Sequence, residues 1–287
     1  MTKEIKYLDD GRRFPGSNDT VFKNLFKNKE ILCSYLKYFT DFDIKPEEVS
    51  EGNGETKYSI ESKGVRMDLK FDIVNDLSVD IEFQNEVKDD DSFRRRLIHY
   101  LSLMYSSSFN TGSNYEENKM AVLVVFVNTE DTILKPLMHF KLTDKKNDTS
   151  WDDIQIYIIN IPKFIKGFNE SNKDDIIKLK LLDVLTTDDG SKYKNDELDL
   201  ARKIEEAINI MNKEDALRFE MIKAAADRTE QRELGKKEGI KEGIKEGERA
   251  NLERNIKTMA SNGFDADFIA KALSLDPSLV KEVLEKQ

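Results

Sequence analysis

The chain has 287 residues, of which 38% are hydrophobic and 36% are charged, and its formal net charge is −10. A chain of this length can bury a core without disulfides or a structural metal. Its acidic charge excludes a general attraction to nucleic acid, so any contact with DNA must be local or metal-mediated. Its one cysteine excludes an internal disulfide and a thiolate zinc site, and its two histidines give little support to catalytic triads. Any catalysis must therefore depend on carboxylates.

Hydropathy predicts where the protein resides. No window of the sequence approaches the roughly 18 consecutive apolar residues of a membrane helix. The first ten residues, MTKEIKYLDD, lack the apolar run of a signal peptide. We expect a soluble, cytoplasmic protein without a membrane partner.

The first predicted element is helical. Between Asn18 and Phe39, apolar residues recur at helical spacing and predict one or two amphipathic helices. The turn-forming sequence GSNDT lies at their start, so Ser17, Asn18 or Asp19 is the predicted N-cap.

The period changes to two over residues 55–62, 65–74 and 79–85. Polar and apolar residues alternate strictly in RMDLKFDI and in VDIEFQ, which predicts two half-buried strands joined at Asn75 and Asp76. The apolar faces must share one side of the sheet. With a turn of about five residues, the predicted register pairs Asp72 with Asp80, Lys70 with Glu82, and Asp68 with Gln84.

In that register Asp68 and Glu82 are diagonal neighbours, close enough for both carboxylates to reach one ion. Four acids share the face (Asp68, Asp72, Asp80 and Glu82), and such a face requires a counterion or open water. Hard oxygen donors favour Mg²⁺, Mn²⁺ or Ca²⁺, and such an ion suits phosphodiester hydrolysis. The alternative is a solvated polar sheet face without a metal, and patterning does not decide between the two.

Helical spacing returns from Asp89 to Phe109, with Phe93, Leu97, Tyr100, Leu101 and Met104 on one side. The β-branched run MAVLVVFV at 120–127 predicts a central strand, covered on both faces and in parallel pairing. Residues 153–161 predict a further strand, ended by Pro162. Together these elements predict an α/β layer domain.

The chain is helical and charged after residue 170, and Gly235, Gly239, Gly243 and Gly247 recur every four residues. Each glycine in a helix costs about 0.8–1.0 kcal/mol relative to alanine, so close packing must compensate. We interpret this segment as a homo-oligomer contact; the alternative is a charged linker that forms no stable helix. Two short helices are predicted after a hinge at Asn262-Gly263, the second starting at Asp276-Pro277, and they suit packing or assembly better than DNA recognition.

Four segments in order along the chain carry a resemblance to a known family: NDTVFKNLF, RMDL with IEFQ, RRRLIHYLSLMY, and the Lys/Glu/Gly repeat. The sequence resembles the Rpn family of recombination-promoting nucleases and transposases, within the PD-(D/E)XK superfamily. The resemblance implies a restriction-endonuclease-like α/β core over residues 1–170, a mixed central sheet flanked by helices. A helical extension, 171–232, and a helical C-terminal tail, 233–287, follow it.

The resemblance also implies site residues. Asp68 becomes the first metal ligand, Glu82 the second, and the Phe83 carbonyl completes the inner shell around Mg²⁺. Gln84 stands where many superfamily members have lysine; an amide can orient water or bind the ion, but it is no general base. Asp19 matches an acidic catalytic position of the first helix, and the alternative for it is a helix cap.

Three further residues are candidates for binding the substrate phosphate. Arg96 and Tyr100 match an Arg-x-x-x-Tyr pattern of the family, and arginine suits bidentate contacts with phosphate. The alternative is a surface arginine over a core tyrosine. Lys70, opposite Glu82 in the predicted register, could supply the charge missing at Gln84, which is our inference and not a family feature.

The leading functional hypothesis is a metal-dependent DNA endonuclease in recombination or mobile-element biology. The alternative is a non-catalytic, self-assembling interaction protein that retains the nuclease scaffold. Gln84 keeps this alternative open.

Overall fold

The computed structural model describes residues 11–51, 55–56, 65–66, 69–74, 77–87, 89–107, 119–168 and 172–285. Asp68 and positions 57–62 of the predicted strands lie outside these ranges. Contacts divide the chain into two compact units, Met1–Ile222 and Lys223–Gln287. The three-part division at residues 170 and 232 stays a prediction.

Two helices open the described part of the first unit, α1 (Asp19–Phe26) and α2 (Lys29–Phe39). Each begins at an asparagine whose side chain accepts hydrogen bonds from the first-turn N–H groups, Asn18 for α1 and Asn28 for α2. The sequence interpretation of Asp19 as a helix cap is therefore wrong, because Asn18 takes that position. Asp19 is the first helical residue, where its negative charge suits the helix dipole.

A six-stranded mixed sheet forms the centre of the first unit, in the order β1-β4-β5-β6-β8-β7. Its strands are β1 (Val49–Glu51), β4 (Leu69–Ile73), β5 (Leu77–Gln84), β6 (Met120–Val127), β7 (Leu137–Asp144) and β8 (Thr149–Asn160). β5, β6 and β8 run parallel, and the remaining neighbours pair antiparallel. A separate antiparallel pair consists of β2 (Glu55–Thr56) and β3 (Val65–Arg66).

The MAVLVVFV run forms β6, with parallel neighbours on both sides and almost every side chain buried, which confirms the prediction of a central covered strand. The prediction for β5 is wrong in one respect. This strand is buried on both faces, not half-buried, so its polar residues Ser78, Asp80 and Glu82 are withdrawn from water.

The β4–β5 hairpin is also tighter than predicted. Lys70 pairs with Asp80, not with Glu82, and Asp72 pairs with Ser78, not with Asp80. The cause is the turn: Ile73 pairs directly with Leu77, so three residues connect the strands where about five were expected. The shift is two residues, so the shared polar face survives although the partners change. The predicted pairing of Asp68 with Gln84 lies outside the described residues.

Helix α3 (Asp90–Ser107) confirms the predicted long helix and covers one face of the sheet. Its buried residues Phe93, Leu97, Leu101 and Met104 pack on alternate β6 residues, Ala121, Leu123, Val125 and Val127. Since Leu123 pairs with Asp80 and Val125 pairs with Glu82 in the parallel register, both acids lie on the face that α3 covers.

The other face of the sheet carries α1 and α2. The Phe126 ring of β6 lies within 6.4 Å, between centroids, of four aromatic rings of these helices: Phe22, Phe26, Tyr35 and Phe39. Edge-to-face and tilted pairs of this kind add to the hydrophobic burial.

Beyond the sheet the first unit continues in α4 (Ile161–Lys166), α5 (Lys173–Thr186) and α6 (Asp199–Lys213). Helix α5 holds α1 and α2 through two hydrogen bonds, from the Tyr35 hydroxyl to the Leu181 carbonyl at 2.6 Å and from the Ser17 N–H to the Leu185 carbonyl at 2.7 Å. The sequence interpretation missed β7, whose residues alternate between apolar and polar from Met138 to Thr143 and of whose eight side chains seven are exposed.

The C-terminal helices are α7 (Asp215–Ser261), α8 (Ala266–Leu273) and α9 (Pro277–Glu285). The four repeat glycines lie inside α7, so the linker interpretation is wrong. The hinge prediction is confirmed: Gly263 has φ +90°, and Pro277 begins α9. The second unit has its own small core of Ile256, Ile269, Ala270 and Val280. Across the described ranges, no helix is both long and apolar enough to cross a membrane.

Candidate active site

Two acids of β5 are buried on the face that α3 covers. Asp80 is 1% exposed and Glu82 is 3% exposed. They stand two residues apart on one strand, so their side chains point to the same side at a spacing of about 6.7 Å. Burying carboxylates is costly unless they are paired, hydrogen-bonded or metal-bound. The interpretation of this face as open and solvated is therefore wrong for β5.

Asp80 is held by the neighbouring strand. Its Oδ1 accepts a hydrogen bond from the Leu69 N–H at 3.2 Å, and Lys70 is its cross-strand partner. Lys70 extends towards the end of α3, where its ammonium donates to the Ser107 hydroxyl at 3.4 Å. The expected pairing of Lys70 with Glu82 is wrong, because the short turn moves Lys70 to Asp80.

Glu82 belongs to a hydrogen-bonded chain with Gln84 and Arg96. The Gln84 Nε2 donates to Glu82 Oε2 at 3.1 Å, and Gln84 Oε1 accepts from Arg96 Nη2 at 2.7 Å. Arg96 is half-buried on α3, with its guanidinium carbon 5.5 Å from the centroid of the Phe93 ring. The structure therefore brings three predicted site residues into direct contact.

Arg96 has a further property. Its Nε is buried and makes no hydrogen bond to any described residue. The sequence pattern could not reveal the contact with Gln84, because it depends on how α3 crosses β5. The signal available was the Arg-x-x-x-Tyr spacing, which places Arg96 on the sheet-facing side of the helix one turn before Tyr100.

The remaining predicted residues are distributed around this chain. Tyr100 is partly buried and packs against the core between α3 and the sheet. The Phe83 side chain points to the opposite face, 5.2 Å from the Phe22 ring between centroids, and the role of its carbonyl stays a prediction. Asp19 forms an ion pair with Lys23 at 3.1 Å on α1.

The start of α1 is tied to the end of β5. The Asn85 side chain, one residue after Gln84, donates to the Ser17 carbonyl at 2.9 Å. Asp72, another acid of the predicted polar face, accepts a hydrogen bond from the Ser78 hydroxyl at 3.1 Å and lies 3.4 Å from the Lys119 ammonium. Asp72 is therefore engaged in local contacts at the hairpin turn.

The described ranges contain no group of three or more His, Cys, Asp or Glu side chains that could hold a metal ion. Asp68, the predicted first ligand, lies outside them and directly precedes Leu69. The donors that are described fit a hard divalent cation: Glu82 and Asp80 offer buried carboxylate oxygens, and β4 and β5 contain neither cysteine nor histidine. The chemistry of this donor set suits Mg²⁺ or Mn²⁺ and not zinc.

Comparison with known proteins identifies a family. The model of a family described as PD-(D/E)XK nuclease family transposase matches residues 16–252, from the turn before α1 into α7. No curated protein matches the chain, and no solved structure matches it. The matched range includes every residue of the candidate site.

Proposed function

Because the chain belongs to the PD-(D/E)XK nuclease family of transposases, we propose that it is a metal-dependent endonuclease that hydrolyses DNA phosphodiester bonds in recombination or mobile-element biology. Membership supports a nuclease or transposase-related role with DNA as substrate. The observation that carries the finer proposal is the burial of Glu82 beside Asp80, with Gln84 bonded to the Glu82 carboxylate. Because burying two carboxylates is costly, their burial at this position favours a functional site that uses them, such as a metal site.

In the proposed site, Glu82 and Asp68 would hold Mg²⁺ or Mn²⁺, and the Phe83 carbonyl would be the third protein ligand. When bound, such an ion activates a water molecule and polarises the phosphoryl oxygen. The chain's own residues orient the carboxylate ligands and shield them from bulk water. Gln84 fixes the Glu82 carboxylate, and α3 keeps bulk water from the acids.

The experiment is cleavage of supercoiled plasmid in Mg²⁺ or Mn²⁺ by the wild type, Asp68→Asn and Glu82→Gln. Both substitutions keep the side-chain shape and remove the charge that binds the cation. We expect a loss of more than 100-fold in rate, with far-UV circular dichroism unchanged. The matched control is Asp91→Asn, an exposed acid on α3, which should cut at the wild-type rate. Full cleavage by either site variant would refute the assignment.

We further propose that the glycine repeat of α7 mediates homo-oligomerisation. The whole stretch 231–250 is exposed, including Ile240 at 55% and Ile244 at 57%. A Cβ atom added at Gly235, Gly239, Gly243 or Gly247 meets no described atom within 4 Å. Because glycine lowers helix stability, four of them on an exposed helix suit a close approach by a second copy.

The test is Gly239→Ala with Gly243→Ala in the full chain, measured by light scattering. Within one chain these changes are free of clashes and raise helix propensity, so only an intermolecular contact would suffer. We expect a lower oligomeric mass, while Lys257→Ala, at an exposed position of the same helix outside 231–250, leaves the mass unchanged. An unchanged mass in the glycine variant would exclude this contact.

A further inference from the structure

The Gln84 amide connects two groups of opposite hydrogen-bonding character. The Arg96 guanidinium can only donate, and an ionised Glu82 carboxylate can only accept. Gln84 therefore has one orientation that satisfies both neighbours, with Oε1 on Arg96 at 2.7 Å and Nε2 on Glu82 at 3.1 Å. The reverse orientation would put two oxygens together at Glu82 and two donors together at Arg96.

Arg96 is placed to enforce this orientation. It is half-buried, and its guanidinium lies beside the Phe93 ring, which packs into the core between α3 and the sheet. Its two neighbours along the helix, Arg94 and Arg95, are exposed. Of these three consecutive arginines, Arg96 is the one that is directed to the candidate site.

We propose that Arg96 is a positioning residue, which fixes the Gln84 amide and, through it, the Glu82 carboxylate. In this arrangement the positive charge nearest to the Gln84 amide is the Arg96 guanidinium of α3. The Arg96–Gln84 hydrogen bond is charge-assisted, and such bonds are stronger and shorter than neutral ones. It therefore holds the amide in the orientation that donates to Glu82. Gln84 is then a working part of the site rather than a loss of the lysine found in many superfamily members. This inference rests on the proposed function and differs from a role in which Arg96 itself binds the substrate phosphate.

The first experiment is a double-mutant cycle of Arg96→Met and Gln84→Ala, with Arg95→Met as the matched control. Two quantities are measured: the Mn²⁺ dissociation constant by calorimetry without DNA, and the plasmid cleavage rate at saturating Mn²⁺. Residues that orient a metal ligand typically contribute 10- to 100-fold to metal affinity or activity. We expect each single variant to lose about 10- to 100-fold in Mn²⁺ affinity or in cleavage rate. The double variant should lose no more than the more impaired of the two single variants.

Three outcomes would overturn the positioning role. Multiplying losses in the double variant would mean that Arg96 and Gln84 act separately. A weaker affinity for DNA in Arg96→Met, with Mn²⁺ affinity unchanged, would assign Arg96 to the phosphate. Equal losses in Arg96→Met and Arg95→Met would mean that the effect comes from the general positive charge of the surface and not from the contact with Gln84.

A second measurement does not require activity. In ¹H–¹⁵N spectra, the Gln84 side-chain amide pair is identified by its disappearance in Gln84→Ala. We expect Arg96→Met to shift this pair and Arg95→Met to leave it in place, and an unmoved pair in Arg96→Met would overturn the inference. If wild-type protein neither binds Mn²⁺ nor cuts DNA, the proposed function fails, and the amide spectrum still decides whether Arg96 orients Gln84.

Discussion

The contact between Arg96 and Gln84 makes a specific prediction about restoring the lysine of the superfamily. In Gln84→Lys, an ammonium would replace the amide whose oxygen lies 2.7 Å from the Arg96 guanidinium. Two unit charges about 4 Å apart interact by about 4 kcal/mol at an effective dielectric constant of 20. Because Arg96 is only half-buried, solvent screening reduces this to a repulsion of about 1–2 kcal/mol.

The repulsion is measured as a coupling energy in the free energy of unfolding. Arg96→Gln should destabilise the wild type by about 1.5–3 kcal/mol, because it removes a charge-assisted hydrogen bond. In the Gln84→Lys background that hydrogen bond is already absent, because an ammonium cannot accept one. The same change there only relieves the repulsion, so Arg96→Gln should stabilise this background by about 1–2 kcal/mol. Four proteins are unfolded in urea at low salt and again at 0.5 M NaCl, where the coupling should shrink. A cost that agrees within about 0.5 kcal/mol in both backgrounds would refute the reasoning.

Two further predictions concern the core of the first unit. Phe126→Ala removes the ring that four aromatic side chains surround, and should lower the free energy of unfolding by about 3–5 kcal/mol in urea; a loss below about 1 kcal/mol would contradict the packing described. Burial raises the pKa of the Cys33 thiol to about 11, so at pH 8 the native thiol stays protonated. Iodoacetamide should therefore label Cys33 slowly in the native protein and rapidly in urea, and rapid native labelling would contradict its burial.

The sequence predicted elements whose pattern is local. The β-branched run around Phe126 sufficed for a central strand, and helical spacing around Leu97 sufficed for α3. The terminal helices followed from Gly263 and Pro277, whose backbone constraints are intrinsic. The strand β7 was predictable from the alternation of apolar and polar residues over 138–143, and the sequence interpretation overlooked it.

The sequence could not predict which face of the sheet a helix covers, or the length of the turn between β4 and β5. Alternation in VDIEFQ correctly gave the face of Glu82, but it carries no information on whether a helix covers that face. The register depended on a turn of unknown length, and a difference of two residues moved Lys70 from Glu82 to Asp80. The same limitation concealed the partner of Gln84, since Arg96 reaches it only through the packing of α3 on the sheet.

The most direct test of the central claim is an anomalous difference map from crystals soaked in MnCl₂. The account predicts a Mn²⁺ peak about 2.0–2.6 Å from a Glu82 carboxylate oxygen, shared with Asp68, and no peak in crystals of Glu82→Gln. A peak remote from Glu82, or no peak where the soaked wild type is fully active, would contradict it.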